Sequence, residues 1–234
     1  MIYVLSDIHG HLRRFEAILE KIGLTPEDTL YVLGDVIDRH PEGIEVLRRI
    51  MAMPNARMIP GNHEYMMLRA LGHPLDSNTD DGNALAHWYR NGGKVTHDRW
   101  QQLSEGEQKE IIEYLHRLPL TYEVAVKGWN YRLVHATVQE HWDDNEDPRY
   151  LTRTHFAVWK RLDIHKKPLA DATLIFGHTP TVHYQEGLPM ELYWGEGLIG
   201  IDCGCGYPDG TGEGRLACLR LDDGAVFYAE DVYA

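Results

Sequence analysis

Residues 29–51 read TLYVLGDVIDRHPEGIEVLRRIM, and the fold follows from how that stretch divides. Thr29 to Leu33 is an apolar run of strand length, and Gly34 to Arg39 is a loop. Pro41 then opens a helix carrying Ile44, Leu47, Ile50 and Met51 at helical spacing. The same unit precedes it: a strand from Ile2 to Leu5, a loop with Asp7, His9 and Gly10, then a helix with Leu12, Phe15, Ile18, Leu19 and Ile22 on one face. A third copy follows, with a strand at Ala56 to Ile59, the loop Gly61-Asn62-His63-Glu64, and a helix from Tyr65 to Leu71. Strands separated by helices predict parallel pairing with right-handed crossovers, so the three loops emerge along one edge of a sheet, where ligands of such sheets bind.

Beyond these units the pattern changes. Residues 72–118 are polar and rich in Asn, Asp and Trp, and end in a helix whose Ser104 and Glu107 have capping-box spacing. This stretch reads as a helical insertion, able to cover the site or to stand off as a solvated appendage. Thr121 to Val126 and Tyr131 to Val134, joined at Lys127-Gly128, predict a hairpin ending at His135 and opening a second, mixed sheet. A polar helical segment spans Pro148 to Leu162, and a strand from Thr173 to Phe176 ends at Gly177-His178. Gly197 to Asp202, Arg215 to Leu221 and Ala225 to Ala229 read as antiparallel strands. The expected architecture is α/β, a layered α-β-β-α sandwich of two mixed sheets with flanking helices, the site lying at the strand ends of the first sheet. No linker interrupts the pattern, so residues 1–234 are read as one domain.

Composition narrows the function. At 43% hydrophobic, 25% charged and 10% aromatic residues, the 234-residue chain has the balance of a globular protein. A formal net charge of -13 argues against a nucleic-acid binder. The first apolar run, Ile2 to Leu5, is too short for a signal peptide or a membrane span. Three cysteines, Cys203, Cys205 and Cys218, make no disulfide framework and fit a reducing cytoplasm as core or near-site residues. The partners to expect are phosphorylated molecules, with no nucleic acid and no membrane.

Five clusters, each just after an expected strand, carry the chemistry: Asp7 and His9; Asp35, Asp38 and Arg39; Asn62 and His63; His135; and His178. Oxygen and imidazole donors without thiolate suit manganese, iron, zinc or magnesium, and a shared carboxylate holds two such ions about 3.5 to 4 Å apart. Asp35 is the natural bridge. Two cations acidify a water and neutralise a phosphate, which makes phosphoester hydrolysis the reaction to expect. The Arg39 guanidinium adds a planar fork of donors matching two phosphoryl oxygens. Taken singly, the aspartates and Asn62 are equally readable as helix or turn caps, and His135 and His178 as core histidines.

Taken together, Asp7-Ile8-His9-Gly10, Gly34-Asp35-Val36-Ile37-Asp38-Arg39, Gly61-Asn62-His63-Glu64, His135 and Gly177-His178 resemble the calcineurin-like metallophosphoesterases, most closely the phosphoprotein phosphatase branch. The resemblance implies that Asp7, His9 and Asp35 hold one metal and that Asp35, Asn62, His135 and His178 hold the other, with a metal-bridging water as nucleophile. It implies that His63 protonates the leaving group, Asp38 orients His63 and Arg39 grips phosphate. Arg161, in Trp159-Lys160-Arg161, resembles a second phosphate-binding arginine, with a solvated charge as the plainer reading. Two departures, His40 and Thr137 where relatives place Gly, lie beside the site. The implied activity is that of a phosphomonoesterase resembling bacterial serine/threonine phosphatases, to which Glu64 and the complete Gly-Asp-x-x-Asp-Arg motif tilt. The alternatives are a dinucleoside polyphosphate hydrolase and a non-catalytic module binding phosphorylated ligands.

Overall fold

The computed structural model describes residues 1–77, 82–165, 169–208 and 212–230; residues 78–81 of the expected insertion lie outside this set. Strand β1 (Ile2–Leu5) leads to helix α1 (Leu12–Ile22), β2 (Thr29–Val32) to α2 (Gly43–Met51), and β3 (Ala56–Met58) to α3 (Asn62–Ala70). β1, β2 and β3 pair in parallel. The late strands β9 (Leu216–Arg220) and β10 (Val226–Ala229) add antiparallel to the far edge, giving the order β10-β9-β1-β2-β3. The second sheet runs β4-β5-β6-β8-β7, from β4 (Thr121–Val126), β5 (Trp129–Val134), β6 (Thr173–Phe176), β7 (Tyr193–Gly195) and β8 (Leu198–Gly200).

Alternation along the strands builds the layers. Tyr3 and Leu5 of β1 and Leu30 and Val32 of β2 face outward to Phe15, Ile18 and Ile22 of α1 and Ile44, Leu47 and Ile50 of α2. Val4, Leu33, Ala217 and Leu219 point the other way, against Leu133, Ile175 and Ile199 of the second sheet. Each of these fully buried aliphatic or aromatic side chains contributes about 1.5–3 kcal/mol relative to exposure. On the outer face of the second sheet, Val134, Leu174, Phe176 and Leu198 are covered by Val138 and by Leu162, Ile164, Leu169 and Tyr184 from the connections.

Three sequence expectations change. β8 pairs parallel with β6, not antiparallel, and its antiparallel partner is the three-residue β7, too short to carry a pattern. The polar helical segment is confined to α7 (Arg153–Trp159). The insertion is no appendage: α4 (Ala84–Arg90), α5 (Lys94–Trp100) and α6 (Glu105–His116) place Trp88, Trp100, Leu103, Ile111 and Leu115 in the main core. Arg99 to Glu45 and Arg48 to Glu107, both 2.6 Å, tie it to α2. Among the described residues, no helix is long and apolar enough to cross a membrane.

Candidate metal and phosphate site

The parallel strands β1, β2 and β3 release Asp7, Asp35 and Asn62 just past their C-terminal ends, while β5 and β6 release His135 and His178. The site is therefore built by both sheets, and not by the first alone as the sequence suggested. Backbone conformation marks the same residues. Of seven non-glycine residues with positive φ among the described residues, six are Asp7, His9, Asp35, Asp38, Arg39 and His178, with φ between 50° and 72°. Side chains rarely adopt this region, and where the fold enforces it the cost is of order 1–3 kcal/mol per residue. Here it turns six polar side chains toward one place.

Asp35 lies at the centre, 2% exposed. Its Oδ1 is 3.4 Å from His135 Nε2, while its Oδ2 is 3.8 Å from His9 Nε2 and 3.9 Å from His63 Nε2. Asn62 Oδ1 lies 3.1 Å from His135 Nε2 and 2.8 Å from His178 Nδ1. Candidate donor atoms thus gather in two groups that share Asp35: His9 and His63 on one side, His135 and His178 on the other. His9 Nδ1 donates to Ile37 O and His135 Nδ1 to Leu33 O, at 3.2 and 2.7 Å, so each ring presents its Nε2 lone pair to the centre. Asp7 accepts from the His178 amide at 3.1 and 3.0 Å and from the Ser6 hydroxyl.

The electrostatics match a cation site. Burial, then Asp202, then Asp35 hold the Asp7 carboxyl well above its usual range, and burial pushes Asp202 up to about 6. Burial, then Arg39 and His63, hold His9 well below the ordinary histidine value, and burial with His135 brings His178 down to about 3, so both rings keep a free lone pair. Burial opposes ionisation of Asp35, but the neighbouring imidazoles, His135 and then His63 foremost, hold its carboxyl below the usual range. Buried carboxylates short of positive charge beside neutral imidazoles are what divalent cations complete, and the donor set fits them.

His63 and its neighbours form a second device. His63 Nδ1 donates to Asp38 Oδ2 at 2.7 Å, and its Nε2 lies 3.4 Å from Arg39 Nη2. Burial disfavours the charged ring, yet Asp35 and the Asp38 hydrogen bond raise the His63 pKa above its ordinary value. The insertion fixes this pair: Trp88 Nε1 donates to the same Asp38 oxygen at 2.7 Å, Thr96 Oγ1 accepts the Asp38 amide at 3.0 Å, and Gly92 O accepts the Arg39 amide at 3.2 Å. The exposed Arg39 guanidinium stands at the mouth of the site. Arg161, also exposed, lines a cleft that reaches His178.

Several residues that hold the site were not singled out as its members. Glu64, fully buried, accepts the amides of Asp35, Val36, Ile37 and Gly61 at 2.9, 2.8, 3.3 and 2.8 Å. It ties the first turn of α3 to the Asp35 loop, and the His63 amide donates to Asp35 Oδ1 at 3.0 Å. A Cβ on Gly61 would lie 2.1 Å from Asp35 Oδ1, so that crossing admits only glycine. Gly206 is likewise pressed on His9 and Arg39, its Cβ position 2.4 and 2.7 Å from their side chains. Asp202 follows β8 as the other site residues follow their strands, and that rule alone points to it. His40 packs against His11 with the rings tilted at 38° and 3.6 Å between centroids, and the Thr137 amide donates to Ala157 O at 3.1 Å, pinning the loop after His135 to α7. Cys203, Cys205 and Cys218 are buried free thiols.

Residues 1–200 match the family described as calcineurin-like phosphoesterase. The chain belongs to that family. Members normally bind two divalent metals, consistent with the two donor groups around Asp35. Among curated relatives, serine/threonine-protein phosphatase 2 of Escherichia coli K12 is 35% identical over 139 residues, 58% of this chain and 57% of that one. A symmetrical bis(5'-nucleosyl)-tetraphosphatase of Acidovorax ebreus is 31% identical over 152 residues, 64% of this chain and 48% of that one. The chain thus matches only about half the length of these two relatives. The metallophosphoesterase structure from Sphaerobacter thermophilus superposes with a TM-score of 0.60 at 20% identity, covering 100% of this chain and 89% of that one, which shows the shared fold.

Proposed function

We propose that this phosphoesterase hydrolyses phosphate monoesters at a dinuclear centre held by Asp7, His9, Asp35, Asn62, His135 and His178. The observation that carries the reading is the placement of the two Asp35 oxygens toward different imidazole groups, with the His63–Asp38 pair beside one of them. Divalent cations bound there, manganese first and iron, zinc or magnesium by the same donor chemistry, would acidify water and neutralise phosphoryl charge. His63 donates its Nε2 proton to the departing oxygen, while Asp38, held by Trp88, fixes the ring. Arg39 holds the phosphoryl oxygens beside that proton, and Arg161 approaches them from the His178 side.

A serine/threonine phosphopeptide is the first substrate class to test. The tilt toward it rested partly on Glu64, yet that carboxylate is fully engaged with backbone amides and carries no substrate preference. A dinucleoside polyphosphate is the second class, favoured by the aromatic and basic cleft beside His178. Phosphate release from a phosphopeptide panel and from diadenosine tetraphosphate, measured in parallel with added manganese, separates them, and turnover of neither would leave a binding module. The buried thiols suit a reducing cytoplasm.

Arg39→Lys keeps the charge but loses the planar pair of donors. We expect kcat/KM to fall about 10- to 100-fold, the worth of a charged hydrogen-bond pair, with metal content unchanged. Wild-type kcat/KM in this variant would mean that Arg39 does not grip phosphate.

A further inference from the structure

We propose that Trp159, backed by His87 of the insertion, is the positioning residue that orients His178 toward the second cation. The inference rests on the dinuclear reading and concerns how that centre is held. It starts from a difference among three imidazoles. His9 and His135 each have a backbone carbonyl on Nδ1, Ile37 O at 3.2 Å and Leu33 O at 2.7 Å, which fixes the ring and leaves Nε2 for the centre. His178 has no such carbonyl among the described residues. Its Nδ1 meets Asn62 Oδ1 at 2.8 Å, and Asn62 is itself a ligand of the same ion in this reading. The direction of the His178 ring therefore depends on what packs against it.

Two neighbouring rings do so. His135 meets His178 edgewise at 5.1 Å and 65°, and Trp159 meets it edgewise at 6.0 Å and 78°. Both separations fall in the range of about 4.5–7 Å where aromatic pairs attract. Trp159 is an anchored ring: it stacks on His87 of α4 at 5.7 Å and 17°, and His155 closes on it edgewise at 6.2 Å and 89°. His155 in turn stacks on Tyr65 of α3 at 5.5 Å and 2°. An indole held by two neighbours cannot swing away from His178 without breaking those contacts.

The helix that ends at Trp159 also reaches the other histidine of that ion. Ala157 O of α7 accepts the amide of Thr137, two residues after His135, at 3.1 Å. One helix thus frames both His135 and His178. Its N-terminal end is tied down as well, since the Thr152 hydroxyl donates to Asp76, to which Tyr65 of α3 donates at 3.2 Å. Consecutive residues of α4 then serve different halves of the centre. Trp88 acts through Asp38 on His63, and His87 acts through Trp159 on His178.

Manganese binding to the metal-free chain, followed by calorimetry and elemental analysis, tests this in wild type, Trp159→Leu, Trp159→Phe and His87→Ala. Wild type should bind two ions. Trp159→Leu should weaken one of them about 10- to 100-fold, the usual worth of a group that orients a metal ligand, with the other near its wild-type affinity. Trp159→Phe, which keeps a ring edge at His178, should recover most of the loss. His87→Ala should weaken the same ion to a smaller extent. Two wild-type affinities in Trp159→Leu overturn the proposal, and a raised substrate KM alongside them would make Trp159 a wall of the cleft alone. Both ions weakened alike, with a lowered denaturant midpoint of the metal-free chain, would show general loosening and overturn it too. If Trp159→Leu does not fold, His87→Ala decides, and wild-type affinity for both ions there overturns the proposal. Fewer than two ions bound to wild type defeats the dinuclear reading instead. The proposal then stands if a single bound ion weakens in Trp159→Leu, and falls if it does not or if none is bound.

Discussion

His63→Asn will slow phosphoserine hydrolysis by about 10² to 10⁴-fold, the usual worth of a positioned general acid, while an aryl phosphate with an acidic phenol loses far less. The difference follows from the leaving group, since an alkoxide needs a proton to depart and a phenolate of low basicity does not. The structure holds the ring as a proton donor. Asp38 fixes Nδ1 at 2.7 Å, Nε2 is left toward Arg39, and the raised pKa keeps the ring protonated to higher pH than an ordinary histidine. Asn fills similar space and hydrogen-bonds, yet cannot transfer a proton as imidazolium does. Because Asn62 is adjacent, metal content is measured on the same sample. Equal slowing of both substrates with metals retained would make His63 a positioning residue, and no slowing would remove it from the mechanism.

Glu64→Gln will lower stability by about 2–6 kcal/mol, the cost of two buried amides losing their acceptor at about 1–3 kcal/mol each. The carboxylate divides its oxygens, Oε2 for Asp35 and Gly61 and Oε1 for Val36 and Ile37, so one end of a glutamine amide must face N–H groups with its own NH₂. Burial and then Asp35 push the Glu64 carboxyl up against the pull of these amides, but every oxygen it presents meets a donor, which favours the ionised form there. Denaturant unfolding of the metal-free protein reads the loss. An unchanged midpoint would mean that Glu64 does not hold the Asp35 loop.

What the sequence made legible was local. The strand, loop and helix of residues 29–51 announce themselves through adjacent periodicities, and two more copies fix the parallel core of the first sheet. The same regularity found Asp7, Asp35, Asn62, His135 and His178, because each follows a strand. Features set by distant partners stayed hidden. The Trp88 bond to Asp38 spans 50 residues, and no period of the insertion marks it. The parallel pairing of β8 with β6 is a matter of topology, and the role of Glu64 lies in backbone amides from two loops that no side-chain pattern records. The left-handed backbone at six site residues was equally invisible, since none is glycine.

The central claim is that two cations share Asp35, and metal content measured with activity on one sample tests it most directly. Chelated protein, shown metal-free by elemental analysis, should release no phosphate from an aryl ester; added manganese should restore release as content reaches two ions per chain. Asp35→Asn should lose both ions where Asp7→Asn weakens one. Full activity in the metal-free sample, or two ions retained in both variants with equal activity, would contradict the account.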